Sequence, residues 1–305
     1  MSARLGVCLL IAVVLSGCGS RAEPTPATPF EAEVRYAQVG KTEIAWYERG
    51  QGPPLVMLMG TGSTMAEWDP ALLRLLAERR RLILFDYPGV GRSSPWRGKR
   101  SFDSLAEQTA ELMEAIGVPQ ADLLGWSMGG FIAQRLAIDR PELVSSVILA
   151  GTNPGGGRTM LGTPEAQRID SDPDPTDAQI LRQLYPPDHQ AEGRRFLRRL
   201  EQASKTGEIP DDFDVPARTT DAQVAAEDSW LRSNRNYREL GDLDVPTLAA
   251  AGRSDPVVPV VNLRRISQRI PGAELLVLPG AHAFLFQSRR EFARAVDRMP
   301  ETSGG

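Results

Sequence analysis

The chain has 305 residues, 41% of them hydrophobic and 24% charged, with a formal net charge of −4. That suffices for one large domain carrying an insertion, or two small ones, and excludes disorder over the whole length. Both signs of charge are spread along the chain, which excludes a nucleic-acid footprint; Arg79-Arg80-Arg81 reads as the solvated end of a helix.

The chain opens with Arg4 and an apolar run, Leu5 to Leu15, of eleven residues. An α-helix needs about 20 residues to cross a bilayer, so the run fits a secretory signal peptide instead. Leu15-Ser16-Gly17-Cys18 resembles the lipobox of bacterial lipoproteins. The resemblance implies cleavage before Cys18 and a diacylglycerol on its thiol. The expected partner is then a membrane, reached through the anchor at Cys18, with export to the outer face of the cell membrane or the periplasm. Residues 1–17 are the expected signal peptide. Residues 18–29 contain SRAEPTPATP, an extended tether.

From Phe30 the pattern becomes that of a folded body. Glu31–Val39 and Thr42–Arg49 alternate apolar and polar residues, predicting two antiparallel strands around Gly40-Lys41. Pro54–Met59 and Leu82–Phe85 are short apolar runs, as in strands buried on both faces. Between them Ala66–Arg79 has helical spacing. Ser101–Ile116 predicts a helix with Ser101 as N-cap and Gly117 as its end. Asp122–Trp126 predicts a strand, Met128–Asp139 a helix and Val144–Ala150 a strand. Thr247–Ala251 and Glu274–Leu278 complete the strands, with helices over Val260–Ile270 and Ala283–Met299. This alternation predicts a mostly parallel sheet covered by helices. From Thr152 to about Asp242 no buried strand is visible, but Gln179–Tyr185 and Arg194–Ala203 are helical. The expected division is a core over 30–151 and 244–300, with a helical insertion at 152–243.

Gly125-Trp126-Ser127-Met128-Gly129-Gly130 lies between a predicted strand and a predicted helix. This is G-x-S-x-G in the context that motif requires. A serine on so tight a turn has a strained backbone and an exposed hydroxyl, and side chains two residues away on either side would clash. GWSMGGFIAQRLA, FDYPGVGRSS and AGRSDPVVP followed by PGAHAF resemble the α/β-hydrolase superfamily from about Phe30 to Met299, the insertion excepted. The resemblance implies an eight-stranded sheet flanked by helices, with a helical cap inserted after the sixth strand.

The chain has two histidines, His189 and His282, and its only cysteines are Cys8 and Cys18. A three-histidine zinc site cannot be built, and no metal or organic cofactor is expected. His282 follows the last predicted strand, where the resembled family places its base, whereas His189 lies in the insertion. Asp255 follows Thr247–Ala251 at a carboxyl strand end and is the expected acid. Asp244 precedes its strand, and Asp86 ends an earlier strand, where the resemblance implies a structural aspartate. The order Ser127, Asp255, His282 is the one this fold uses. The backbone amide of Met128 is one expected oxyanion donor. Thr61, after Pro54–Met59, supplies the other by resemblance to a His-Gly-x segment, although Met59 replaces the histidine. Trp126, Met65, Trp68, Phe284 and Trp230 suit either an acyl pocket or the core.

The expected function is ester or related acyl hydrolysis, with activity falling below about pH 6 as the imidazole takes a proton. Perhydrolysis or haloperoxidation, lactone or amide hydrolysis, and C–C bond cleavage are alternatives on the same residues. A non-catalytic ligand-binding lipoprotein is a further one.

Overall fold

The computed structural model describes residues 30–300 except 99, 171, 173–175 and 186. The predicted signal peptide, Cys18 and the tether lie outside the described residues. Eight strands form one sheet: β1 (Arg35–Val39), β2 (Thr42–Arg49), β3 (Pro54–Leu58), β4 (Arg81–Phe85), β5 (Ala121–Trp126), β6 (Val144–Ala150), β7 (Thr247–Gly252) and β8 (Glu274–Leu278). Their order is β1-β2-β4-β3-β5-β6-β7-β8. The sheet is mixed. β1 and β2 are antiparallel to each other, and β2 is antiparallel to β4; every other pairing is parallel. β5 and β6 are buried along their whole length, as continuous apolar runs in a doubly covered sheet require.

The helices are α1 (Pro70–Leu76), α2 (Phe102–Ala115), α3 (Met128–Asp139), α4 (Pro164–Asp170), α5 (Asp177–Leu184), α6 (Gln190–Lys205), α7 (Ala217–Arg232), α8 (Arg235–Glu239), α9 (Val261–Arg269), α10 (Phe284–Gln287) and α11 (Arg289–Asp297). Ser101 caps α2 by accepting from the Ser104 amide, and Gly117 follows it with φ +72°. A left-handed residue after a helix is where glycine costs least. Helices α4 to α8 lie between β6 and β7, with no strand among the described residues of that segment. Among the described residues, no helix is long and apolar enough to cross a membrane.

Three expectations need correction. The helix expected over Ala66–Arg79 is split. A 3-10 turn ends at Glu67, and α1 starts afresh with Asp69 as N-cap and Pro70 at its first position. Proline has no N–H to give and a preset φ, so it opens a helix rather than continuing one. The helix expected over Ala283–Met299 is likewise broken at Ser288, giving α10 and α11. Arg80 is not solvated. It is 1% exposed, pairs with Asp122 of β5 and donates to the Val296 carbonyl. Asp122 also accepts the Ser146 hydroxyl at 2.6 Å, so the buried charge pair is embedded in hydrogen bonds.

Candidate functional site

Ser127 stands at the junction of β5 and α3, in the middle of the sheet. Its backbone has φ +55° and ψ −122°, and it is the one non-glycine residue with positive φ among the described residues. Its amide donates to the Ala150 carbonyl at 2.9 Å, while its side chain does not cap the helix that it opens. Strain of this kind persists only where the surroundings over-determine it. Here they do. A Cβ on Gly125 would lie 2.4 Å from the Gly129 carbonyl oxygen, and one on Gly129 would lie 2.0 Å from that of Leu58. A Cβ on Gly130 would lie 2.5 Å from Thr152 Cβ. The three glycines thus let the helix descend onto the ends of β3 and β6 and force the serine upward.

Asp255 follows β7 and His282 follows β8, at the same carboxyl edge of the sheet as Ser127. Asp255 Oδ1 accepts the amides of Val257 and Val258, each at 2.9 Å. Its Oδ2 lies 2.8 Å from His282 Nδ1. The turn expected of an Asp-Pro sequence and the pairing expected of an acid are therefore both present, on different oxygens. With Nδ1 donating to the carboxylate, Nε2 is left as the acceptor. The loop bearing His282 approaches because Gly252 lacks a side chain; a Cβ there would lie 2.1 Å from the Ala281 carbonyl oxygen. Trp126, immediately before Ser127, lies with its ring 5.4 Å from the imidazole and donates from Nε1 to the His282 carbonyl at 3.1 Å. Histidine and aspartate are joined, and the histidine is tied through its carbonyl to the strand carrying the serine. Among the described residues no hydrogen bond joins the Ser127 hydroxyl directly to His282.

His282 is 5% exposed. Burial alone would lower its pKa, but the charge and hydrogen bond of Asp255, helped by Asp170 and Glu227, outweigh it and hold the imidazole above its ordinary 6.5. A reaction that needs the neutral imidazole would accordingly lose rate at a pH above the ~6 expected from an ordinary histidine.

The loop after β3 runs beside the serine. A Cβ on Gly60 would lie 3.4 Å from Ser127 Cβ. Thr61, the next residue, donates its hydroxyl to Glu227, and the Gly62 amide donates to Gln223 Oε1 at 2.8 Å. Met128 opens α3, where first-turn amides have no partner within the helix. Asp86 accepts the Met65 amide at 2.8 Å and the Arg92 amide at 3.1 Å, the structural role expected of it.

Met65, Trp68 and Phe284 are at most 1% exposed and belong to the core. Trp126 and Phe286 meet at 5.1 Å, and Phe286 stacks on Phe196 of α6 at 5.3 Å, so aromatic rings connect the His282 neighbourhood to the helices between β6 and β7. Trp230 stacks on Phe131 at 5.0 Å and donates to Asn153, away from that cluster. His189 is on the surface beside Glu192. Gln223, Glu227 and Asp170 carry no motif in the sequence; only the fold brings them to this edge. Among the described residues no three His, Cys, Asp or Glu side chains are grouped to hold a metal ion.

This site, a strained serine beside an Asp–His pair on the carboxyl edge of a largely parallel sheet, is that of a hydrolase class. The sequence model described as alpha/beta hydrolase fold matches residues 53–288, and the chain belongs to that family. Over 264 residues it is 31% identical to a pimeloyl-(acyl-carrier protein) methyl ester esterase of Aeromonas hydrophila, covering 82% of this chain and 96% of the relative. It is 28% identical over 238 residues to a poly(3-hydroxyalkanoate) depolymerase of Ectopseudomonas oleovorans, covering 76% and 78% of the two chains. An alpha/beta hydrolase fold protein of Chitinophaga pinensis superposes with a TM-score of 0.76 at 24% identity, over 87% of this chain and 96% of that one. The relatives support hydrolase activity.

Proposed function

We propose that the protein is a serine hydrolase that cleaves a carboxylic ester or related acyl substrate. The observation that carries this is the Asp255–His282 hydrogen bond of 2.8 Å on the strand edge that holds Ser127 at φ +55°. In the proposed cycle His282 Nε2 takes the Ser127 proton as Oγ forms a bond to the acyl carbon. The amides of Thr61 and Met128 receive the oxyanion. Collapse of the tetrahedral intermediate breaks the ester C–O bond, and His282 passes its proton to the departing alkoxide. Water then attacks the acyl-enzyme, giving its proton to His282, and Ser127 leaves with that proton. Asp255 keeps the imidazole in the required tautomer and stabilises the transient imidazolium.

In this reading residues 152–243 are a helical cap over the site, and 30–151 with 244–300 are the core. Support comes from the hydrogen bonds that Gln223 and Glu227 accept from residues 61–62, and from the Ala283 amide donating to the Leu184 carbonyl at 3.0 Å. The lipobox resemblance supports export and anchoring through Cys18.

A fluorophosphonate probe tests the enzyme: the wild type is labelled and hydrolyses p-nitrophenyl butyrate, and Ser127→Ala does neither. Labelling that survives in Ser127→Ala refutes the assignment. Cys18→Ser is expected to release the protein from the membrane fraction; a variant that stays membrane-bound and unprocessed refutes the anchor.

A further inference from the structure

Residues 60–62 lie between the serine and one face of α7. Gly60 abuts Ser127, while Thr61 and Gly62 are hydrogen-bonded to Glu227 and Gln223, which are four residues apart and so share a helix face. Thr220 closes the same face; a Cβ on Gly62 would lie 3.6 Å from its Cγ2. Gln223 is fully buried and Glu227 is partly so.

We propose that Glu227 and Gln223 are positioning residues for acyl transfer: from α7 they fix the peptide planes around Thr61, so that its amide faces the oxyanion. This rests on the donor role given to Thr61 above. An oxyanion donor acts only if it is held about 2.7–3.1 Å from where the charge develops. The loop Gly60-Thr61-Gly62 cannot hold itself so closely, because Gly62 sits at φ +66° with glycine's freedom and Gly60 adds more. The two bonds from α7 fix Thr61 itself and the peptide that follows it, and so limit how far the critical amide, one bond earlier in the chain, can turn. Gln223 binds the N–H of the peptide following Thr61, which sets ψ of Thr61. Glu227 binds the Thr61 hydroxyl, which sets its χ1 and anchors the residue itself. A helix that merely packed here would present apolar groups. Instead a carboxyl is placed where burial pushes its pKa up to about 7, against the pull of the Thr61 hydrogen bond. The carboxyl retains an acceptor oxygen toward Thr61 in either protonation state. Other charges acting on it are Asp170, Asp228 and His282.

Steady-state kinetics on p-nitrophenyl butyrate decide the matter, using Thr61→Val, Glu227→Ala, Glu227→Gln and the double variant Thr61→Val/Glu227→Ala. Thr61→Val keeps the amide and removes only the hydroxyl. Each of Thr61→Val and Glu227→Ala is expected to lower kcat about tenfold with KM changed less than about twofold, a fraction of what deleting an oxyanion donor costs. The double variant is expected to be no worse than the poorer single one, since both break one bond. Glu227→Gln, whose amide oxygen still accepts from Thr61, is expected to recover kcat to within about threefold of the wild type. If Glu227→Ala does not fold, Gln223→Met replaces it, with the same kcat loss expected. Multiplying losses in the double variant, losses confined to KM, or a Gln variant as slow as the Ala variant each overturn the proposal. For Gln223→Met, an unchanged kcat does so. Ser127→Ala separates the two readings. Retained turnover in that variant removes the serine mechanism itself, whereas abolished turnover with multiplying losses removes only the role of α7.

Discussion

At the scale of single residues, Asp255 divides its two oxygens between structure and chemistry. Oδ1 is taken by the Val257 and Val258 amides, and Oδ2 faces His282. Asp255→Asn preserves the first task, because the amide oxygen still accepts two N–H groups. It inverts the second. A side-chain NH2 facing Nδ1 must donate, so the imidazole carries its proton on Nε2 and cannot accept from Ser127. We expect kcat to fall by about 10⁴ with the fold retained. Turnover within about tenfold of the wild type, in a variant whose circular dichroism is unchanged, contradicts the role given to Asp255. His282 was legible because the chain has two histidines and only one follows a strand. Glu227 and Gln223 were not, because nothing in AAEDSW or DAQVAA marks a partner. Their significance comes from the loop about 160 residues earlier that they touch, and no local pattern encodes that proximity.

At the scale of elements, segments with a clean apolar or alternating pattern and clear ends were legible to the residue. Met128–Asp139, Val144–Ala150, Glu274–Leu278 and Thr42–Arg49 match their expected bounds. Periodicity failed where a break left the spacing intact. Asp69-Pro70 restarts a helix in the middle of a run that still reads as one, and the Asp69 side chain is buried against Arg199 of α6 rather than exposed. Charge misleads at Arg80, where it suggests solvent while the partner, Asp122, lies on β5, 42 residues along the chain. The glycines of the β5–α3 turn test how tightly elements determine the site. Gly117 and Gly129 make an informative contrast. Gly117→Ala meets no atom within 4 Å and pays only for φ +72°, so a loss of about 1 kcal/mol is expected, without change in kcat. Gly129→Ala drives a Cβ against the backbone of Leu58 at 2.0 Å, where no side chain can yield. A loss of about 2–3 kcal/mol is expected, with a fall in kcat, because displacing the end of β3 moves Gly60 and Thr61. Equal stability and turnover in the two variants, measured by urea melts and ester hydrolysis, sink the argument that α3 and β3 jointly place the loop.

At the scale of the whole molecule, buried and half-buried carboxyl groups converge on one loop and couple stability to pH. Glu67 accepts the Thr64 amide, Asp86 the Met65 amide and Glu227 the Thr61 hydroxyl. Burial pushes Glu67 up to about 7, Asp86 up to about 6 and Glu227 up to about 7. The folded protein therefore keeps protons that the unfolded chain releases near pH 4. Through that interval the native state binds more protons, so stability falls as pH rises. His282 acts in the same direction: its raised pKa stabilises fully below 6.5, and that contribution disappears as pH climbs through the folded value. Glu208 and Glu239, held below the usual carboxylate range by arginines against the opposing effect of burial, contribute from about pH 5 upward and do not vary above it. The thermal midpoint is therefore expected to be higher at pH 5.5 than at pH 8. The difference is on the order of 2 kcal/mol after discounting the partly exposed Glu67 and Glu227, or about 5 °C for a domain of this size. Activity runs the other way. Ester hydrolysis requires neutral His282, so kcat/KM is expected to rise with pH through a midpoint above 6.5. The groups that equip the site for turnover at neutral pH are thus ones that weaken the fold there. Thermal melts and initial rates over pH 5.5–8 measure both slopes on one sample. A midpoint temperature that rises with pH, or a rate already maximal at pH 5.5, separates the loop carboxyls and His282 from the roles that their burial assigns them.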